Sequence, residues 1–463
     1  LRQTLAIATG KTLLGILHRT RKSGGTALPG LVAQRLDPHI LTRLTARLPG
    51  GSMVVTGTNG KTTTTRLCST ILTAAGLRLV NNRSGSNLIR GLTSTLLTQA
   101  TLNGRLNADM GLFEVDEAAM PQAVAEIAPR FILVNNLFRD QLDRYGEIDT
   151  IRKKWVEAVK KLSVGTTLVL NADDPSVAYL GRFAPEGVRI VYFGLDDANH
   201  SLPNLQHAVD AAKCIICAAP LRYEAVYISH MGHYQCDSCG FARPQPDFVA
   251  RQVKLQGTEG ARFVLDFDGT SLELGLGVPG LYNVYNATGA ATACLTAGIA
   301  PDNVQEGLAG FKAAFGRIER VPLDNNRHLL LALVKNPVGF NEVLRMLLQS
   351  GEKLKLMVIL NDLTADGRDI SWLWDVDFEV LAERVDWAST SGIRAQDMAL
   401  RLKYAGVPAE LLTAEEDIST ALTAAISRLS PGETLYITPT YTAMLQLREV
   451  LQKRGLVAPF WEE

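Results

Sequence analysis

The chain has 463 residues, 46% of them hydrophobic and 20% charged, which is too long for one ordinary domain and typical of a globular protein in water. Its 47 basic and 47 acidic side chains cancel, so no global charge directs it to nucleic acid or to a membrane surface. No apolar run approaches the roughly 20 residues that span a bilayer.

The first 50 residues read as a helical segment with a basic bias. No acid precedes Asp37, whereas Arg2, Lys11, Arg19, Arg21, Lys22 and Arg35 are basic. A transit peptide has that bias, and so has a helix resting on anionic lipid. The apolar stretch is short (Leu13–Leu17) and no convincing cleavage site follows, so the segment is expected to belong to the mature protein.

From about 50 to 195, short β-rich runs alternate with helical periodicity. Met53–Thr56, Gly111–Val115, Phe131–Val134, Thr167–Leu170 and Arg189–Phe193 are expected to be buried strands of a largely parallel α/β sheet. Residues 200–250 break the pattern and read as an insertion, centred on about 205–250. Alternating runs at Ala261–Phe267 and Ser271–Leu276 flank Asp268-Gly269, a hairpin signal. Helices near 283–298 and 301–311 close this unit, expected at 51–316. A second α/β unit is expected at 322–463, with strands near 328–334, 353–360, 385–389 and 434–438.

The strand at 53–56 runs into Gly57-Thr58-Asn59-Gly60-Lys61-Thr62, then Thr63 and a helical run. This is a phosphate loop, shorter between its glycines than the eight-residue Walker form. Its glycines let the backbone curl so that N–H groups face phosphate oxygens, and the helix N-terminus adds partial positive charge. Lys61 would reach the β- and γ-phosphates of ATP and the Thr62 hydroxyl would ligate Mg²⁺. The plain alternative is a Gly-rich turn before a helix, which the order strand, loop, Lys-Thr, helix disfavours.

Cys214/Cys217 and Cys236/Cys239 form two Cys-x-x-Cys pairs with eighteen residues between them. That spacing suits Zn²⁺ bound by four thiolates, a closed structural site. Redox pairs or buried thiols are the alternatives. Ala218 stands where such a turn often has Gly, and His230 and His233 lie near enough in sequence to be substitute ligands. Cys68 and Cys294 fall in helical segments without a nucleophile elbow and read as core residues rather than catalytic nucleophiles.

The stretch Asn361-Asp362-Leu363-Thr364-Ala365-Asp366-Gly367-Arg368-Asp369-Ile370-Ser371-Trp372-Leu373-Trp374-Asp375 is dense in acids beside two tryptophans. From composition alone it is a charged loop with an aromatic staple.

Together these motifs resemble the Mur ligases, and most closely the MurT family, over more than nine-tenths of the chain. TGTNGKTTT is similar to the family's ATP loop. Asn171-Ala172-Asp173-Asp174-Pro175 resembles its NADDP motif, and Asn136-Leu137-Phe138-Arg139-Asp140-Gln141 its metal-site segment, with Gln141 where a histidine is usual. The resemblance implies that Glu114 is an acidic Mg²⁺ ligand, that Asn286 contacts the adenine end of ATP, and that Asn336 of Lys335-Asn336-Pro337 lies against the nucleotide when the domains close. It implies that the cysteine pairs form a zinc ribbon inside a Mur-type central domain.

The family's activity would be ATP-dependent amidation of the D-glutamate α-carboxyl of lipid II, through an acyl phosphate. Ammonia would come from a GatD-like glutaminase in a heterodimer, whose Cys and His are completed by Asp369, with Asp366 and Asp375 as the other candidates. The expected location is the cytoplasm, with peripheral contact at the inner leaflet left open. The rival expectation is an amino-acid-adding ligase of the MurE or folylpolyglutamate type, which needs no partner.

Overall fold

The computed structural model describes residues 2–19, 27–82, 86–139, 148–207, 209–311 and 318–457. Gln141 and the expected join near Gly316 lie outside them. The first unit is built on β1 (Ser52–Thr56), β2 (Leu79–Asn81), β3 (Met110–Glu114), β4 (Phe131–Val134), β5 (Thr167–Asn171), β6 (Arg189–Leu195), β9 (Phe248–Leu255), β10 (Ala261–Phe267) and β11 (Thr270–Leu276). They form one nine-stranded sheet in the order β11-β10-β9-β6-β5-β4-β1-β3-β2. From β2 to β9 every neighbour is parallel, and β9, β10 and β11 continue as an antiparallel edge.

β1, β3, β4 and β5 are buried along their whole length, as unbroken apolar runs require when helices cover both faces of a parallel sheet. Leu67, Cys68, Ile71 and Leu72 of the helix Lys61–Ala74 pack on one face with the helix Leu281–Thr296. The helices Ile89–Gln99, Met120–Ile127 and Ile148–Val159 cover the other.

The basic N-terminal helix, Arg2–Arg19, joins this second layer through Ala6 and Ile7, both fully buried. Its Lys11 ammonium donates to Leu97 O, Thr98 O and Ala100 O at 3.2, 3.2 and 2.6 Å, which caps the C-terminus of the helix Ile89–Gln99. That charge therefore serves packing inside the unit. Among the described residues no helix is long and apolar enough to cross a membrane.

Between β6 and β9 the hairpin β7 (Arg222–Ile228) and β8 (Met231–Gln235), with its flanking turns, forms a separate two-stranded sheet. The second unit holds β12 (Glu319–Pro322), β13 (His328–Leu331), β14 (Leu354–Ile359), β15 (Val385–Ser391), β16 (Leu412–Ala414) and β17 (Thr434–Pro439), in the order β12-β13-β17-β14-β15-β16. Its sheet reaches back to Glu319, before the expected start at 322, because β12 pairs antiparallel with β13.

The helix Pro337–Leu347 joins the two units. Val338 enters the first unit's core, and the Arg345 guanidinium donates to Tyr227 O and His200 O, both at 2.7 Å.

Candidate active site

β1 lies where the sheet reverses its order, with β3 and β2 on one side and β4, β5 and β6 on the other. Ligands of open parallel sheets bind at such a point, beyond the carboxyl ends of the strands. The parallel register brings the ends of β1, β3, β4 and β5 to one edge. Thr56 pairs with Val134, Val55 with Glu114, and Val134 with Leu170.

The phosphate loop leaves β1 through Gly57 (φ 137°) and enters the helix Lys61–Ala74 through Gly60 (φ 81°). Both angles favour glycine. A Cβ at Gly60 would also lie 2.0 Å from Asn286 Oδ1, so that amide rests directly on the loop. Asn286 Oδ1 accepts from Thr64 Oγ1 at 3.3 Å, and its Nδ2 donates to Asn283 at 3.1 Å. Within the loop, Thr58 N–H donates to Asn136 O (3.1 Å) and Asn59 N–H to Asn136 Oδ1 (2.8 Å). Those two donors are thus occupied by the neighbouring segment. The first helical bond is Thr64 N–H to Gly60 O, so the N–H groups of Lys61, Thr62 and Thr63 precede any helical acceptor, the arrangement that in general suits an anion. Thr62 is half-exposed at this end, whereas Lys61 and Thr63 are buried.

Lys61 does not reach into open space. Its ammonium donates to Gly57 O (2.6 Å), Thr58 O (3.0 Å) and Glu117 Oε2 (2.7 Å). Glu117 is the residue that sequence reasoning missed. It is buried, and its carbonyl accepts from the Trp155 indole N–H at 2.8 Å. Glu114 is buried at the end of β3, its backbone clasped by Asn82, whose Oδ1 and Nδ2 bond Glu114 N–H and O at 2.9 and 2.8 Å. The Thr62 hydroxyl in the first turn of its helix and the Glu114 carboxylate at the end of β3 are hard-oxygen donors of the kind Mg²⁺ takes.

The NADDP residues act as ties. Asp174 caps the helix Pro175–Ala178 by accepting from Ser176 and Val177, and its second oxygen accepts from Leu137 N–H at 2.7 Å. Asp173, fully buried, accepts from Leu195 N–H (2.8 Å), the Tyr285 hydroxyl (2.6 Å) and Arg243 Nε (2.5 Å). Burial and Asp173 hold the Tyr285 phenol well above its ordinary pKa, so it stays a donor. Segment 135–139 is thereby fixed against the phosphate loop, where Phe138 and Thr58 exchange two bonds of 3.0 Å. From the second unit, Asn336 caps the helix Pro337–Leu347 and its Nδ2 donates to Asn59 Oδ1 at 2.9 Å. The Asn-Pro motif therefore meets the phosphate loop across the domain contact.

The four paired cysteines converge. Sγ atoms of Cys214, Cys217, Cys236 and Cys239 all lie within 4.8 Å of one another, with 3.5 Å between Cys214 and Cys239 and between Cys217 and Cys236. Thiolates around a tetrahedral zinc stand ~3.8 Å apart, so the set fits that ion. The two turns close alike: Cys214 donates to Ala219 O and accepts from Ala218, and Cys236 does the same with Phe241 and Gly240. Ala218 takes the left-handed conformation (φ 61°) that Gly240 takes at 75°, so alanine serves where glycine is commoner. The histidines are elsewhere. His233 Nε2 lies 3.0 Å from Leu195 O, and His230 is buried 3.5 Å from Asp174. Neither joins the thiol cluster.

The acidic stretch follows β14 as a loop, and it separates its three candidate aspartates. Asp366 is buried and accepts from Thr442 N–H at 2.8 Å and Leu363 N–H at 3.2 Å. Asp375 is half-exposed, 3.5 Å from Arg139. Asp369 is exposed, and bonds from the N–H and hydroxyl of Ser371 hold its carboxyl below the ordinary range.

Residues 55–236 match the Mur ligase middle domain and residues 333–444 the MurT ligase C-terminal domain. Over 459 residues the chain is 33% identical to the lipid II isoglutaminyl synthase (glutamine-hydrolyzing) subunit MurT of Streptococcus pneumoniae, covering 99% of this chain and 98% of that one. To the subunit of the same name in Staphylococcus aureus it is 32% identical over 433 residues, 93% of each. Among solved structures, a pseudomurein peptide ligase type C from Methanothermus fervidus superposes with a TM-score of 0.66 at 20% identity, over 94% of this chain and 85% of that one. MurF from Acinetobacter baumannii gives 0.65 at 19% identity over 90% and 80%. These structural likenesses establish a Mur ligase fold. The near-complete match to the subunits at a third identity, with both domains recognised, establishes that the chain belongs to the MurT family.

Proposed function

We propose that this chain is the ligase subunit of a lipid II isoglutaminyl synthase. It converts the α-carboxyl of D-glutamate in the stem peptide to a carboxamide, with ATP as phosphoryl donor and ammonia from a GatD-like glutaminase in a heterodimer. The observation that carries the reading is the pairing of a phosphate loop with an exposed carboxylate, Asp369, on the C-terminal domain, in a chain whose thiols are either buried on packed helices or drawn into one four-cysteine cluster. Cys68 and Cys294 are fully buried on packed helices, and the other four cysteines are gathered in one cluster.

A carboxylate in water has no useful leaving group. Transfer of the γ-phosphoryl of ATP to a carboxylate oxygen makes an acyl phosphate and releases ADP. Ammonia then attacks the carbonyl carbon, phosphate leaves with that oxygen, and the nitrogen loses a proton. The N–H groups from Gly60 to Thr63 and the helix end hold the phosphate chain. Lys61 turns from Glu117 toward the transferring phosphoryl, where negative charge develops. Thr62 and Glu114 would hold Mg²⁺, which would supply positive charge near the transferring phosphoryl. Asn286 and Asn336 close the loop from two sides. Cys214, Cys217, Cys236 and Cys239 would hold Zn²⁺ as a structural ion, since four thiolates leave no ligand position open. Asp369 orients the histidine of the partner's thiol–histidine pair.

The test is mass spectrometry of lipid II incubated with this chain, a GatD-like glutaminase, ATP and glutamine. A carboxyl-to-carboxamide mass change that requires ATP and vanishes in Lys61→Ala is expected. ATP turnover with added amino acids, and no amidation even with ammonia supplied directly, would move the assignment to an amino-acid-adding ligase.

A further inference from the structure

Arg139 stands between three parts of the molecule. Its backbone belongs to the segment fixed against the phosphate loop, one residue beyond Phe138, which exchanges two bonds with Thr58. Its N–H donates to Asp210 Oδ2 at 2.8 Å and its Nε to Asp210 Oδ1, in the insertion four residues before Cys214. Its remaining guanidinium arm faces Asp375 at 3.5 Å, in the acidic loop of the second domain.

The two carboxylates differ in kind. Asp210 is 4% exposed and holds both backbone and side chain, which makes it a fixed anchor. Asp375 is 39% exposed and meets Arg139 at the long end of ion-pair distance. Such a pair contributes little by itself and is readily made and broken. Two residues on, Asp377 reaches the same insertion: its Oδ1 lies 2.7 Å from His207 Nδ1, and Asn341 holds its other oxygen at 3.1 Å. The acidic loop therefore contacts the first unit through a side chain one residue beyond Phe138, whose backbone bonds Thr58 of the phosphate loop.

We propose that Arg139 is a positioning residue that links the acidic loop to the nucleotide site. Seating of the glutaminase on the loop carrying Asp369 changes how Asp375 engages Arg139, and the shift is felt at Thr58 through residues 138 and 139. This inference rests on the partner-dependent reading above. Linkage makes it reciprocal: if the partner alters nucleotide affinity, nucleotide alters partner affinity by the same factor.

The experiment measures the dissociation constant of the full chain for a GatD-like glutaminase, with and without Mg²⁺ and a non-hydrolysable ATP analogue. In the wild-type chain the nucleotide is expected to change that constant at least about fivefold. In Arg139→Ala the change should fall below about twofold while binding itself persists. Asp375→Asn, which leaves the Asp210 anchor in place, should lose the nucleotide effect in the same way and decides the matter if Arg139→Ala does not fold. A nucleotide effect of wild-type size in the variants overturns the inference, as does no effect in the wild type. Failure of the wild-type chain to bind the glutaminase under either condition would instead overturn the functional reading, and this inference with it.

Discussion

Lys61 Nζ lies 2.7 Å from Glu117 Oε2, with the two side chains 9% and 5% exposed, so the lysine of the phosphate loop is held by a buried carboxylate. A buried pair is costly to break from one side only, because the other charge is left uncompensated.

Glu117→Gln should therefore destabilise the nucleotide-free chain by about 3 kcal/mol. It should also enlarge the stabilisation given by Mg²⁺-ATP, since phosphate no longer competes with Glu117 for Lys61. Thermal denaturation with and without nucleotide checks both. Equal nucleotide-induced shifts in variant and wild type would mean that Lys61 stays on Glu117 throughout.

The cysteine cluster predicts one zinc per chain, measurable by elemental analysis. Cys236, fully buried, is the most demanding of the four positions. Cys236→Ser should release the metal and loosen the insertion. Because Gly232 donates to Asp173 O and Arg243 to the Asp173 carboxylate, ATP-dependent turnover should fall with it. A zinc-free variant with wild-type turnover would show that the insertion does not support the nucleotide domain.

Of the three aspartates, Asp369 is the exposed one, with bonds from Ser371 holding its carboxyl below the ordinary range, whereas Asp366 is occupied by Thr442 and Asp375 by Arg139. Asp369→Asn should lower glutamine hydrolysis by the complex at least about a hundredfold, as expected when the orienting member of a catalytic triad is lost. Amidation driven by free ammonia should continue. Intact glutaminase activity in this variant would reassign the role.

Much of this was legible in the sequence because the signals are local. β1, β3, β4 and β5 are unbroken apolar runs buried on both faces, and the phosphate loop announces itself by two glycines and a lysine within five residues. β2 is three residues long with one buried position, and β9 carries Arg251, Gln252 and Lys254 in a partly exposed strand, so neither stands out. Glu117 could not be singled out, because its partner lies 56 residues away and Glu114 and Asp116 stand beside it as equal candidates. The three aspartates of the acidic loop are alike in sequence. Burial and partners, which are tertiary facts, separate them.

Glu342 on the helix Pro337–Leu347 gives the pH prediction. Its carboxyl is buried, one oxygen has no hydrogen-bond partner, and burial pushes its pKa from 4.5 up to about 7, against the opposing pull of Arg345 at 3.9 Å. Because the folded chain binds this proton more tightly than the unfolded chain, its contribution to stability is complete below pH 4.5. It declines as pH rises and is lost above about 7. The gap corresponds to about 3 kcal/mol at most. Glu342→Gln keeps the shape and removes the titration, so it should equal the wild type near pH 5 and exceed it in melting temperature at pH 8. Arg345 of the same helix bonds Tyr227 O and His200 O, so the gain should appear in the contact between the two units as well as in the second unit itself. Melting curves that run parallel from pH 5 to 8 would place the Glu342 carboxylate in contact with water or with a charge that compensates it.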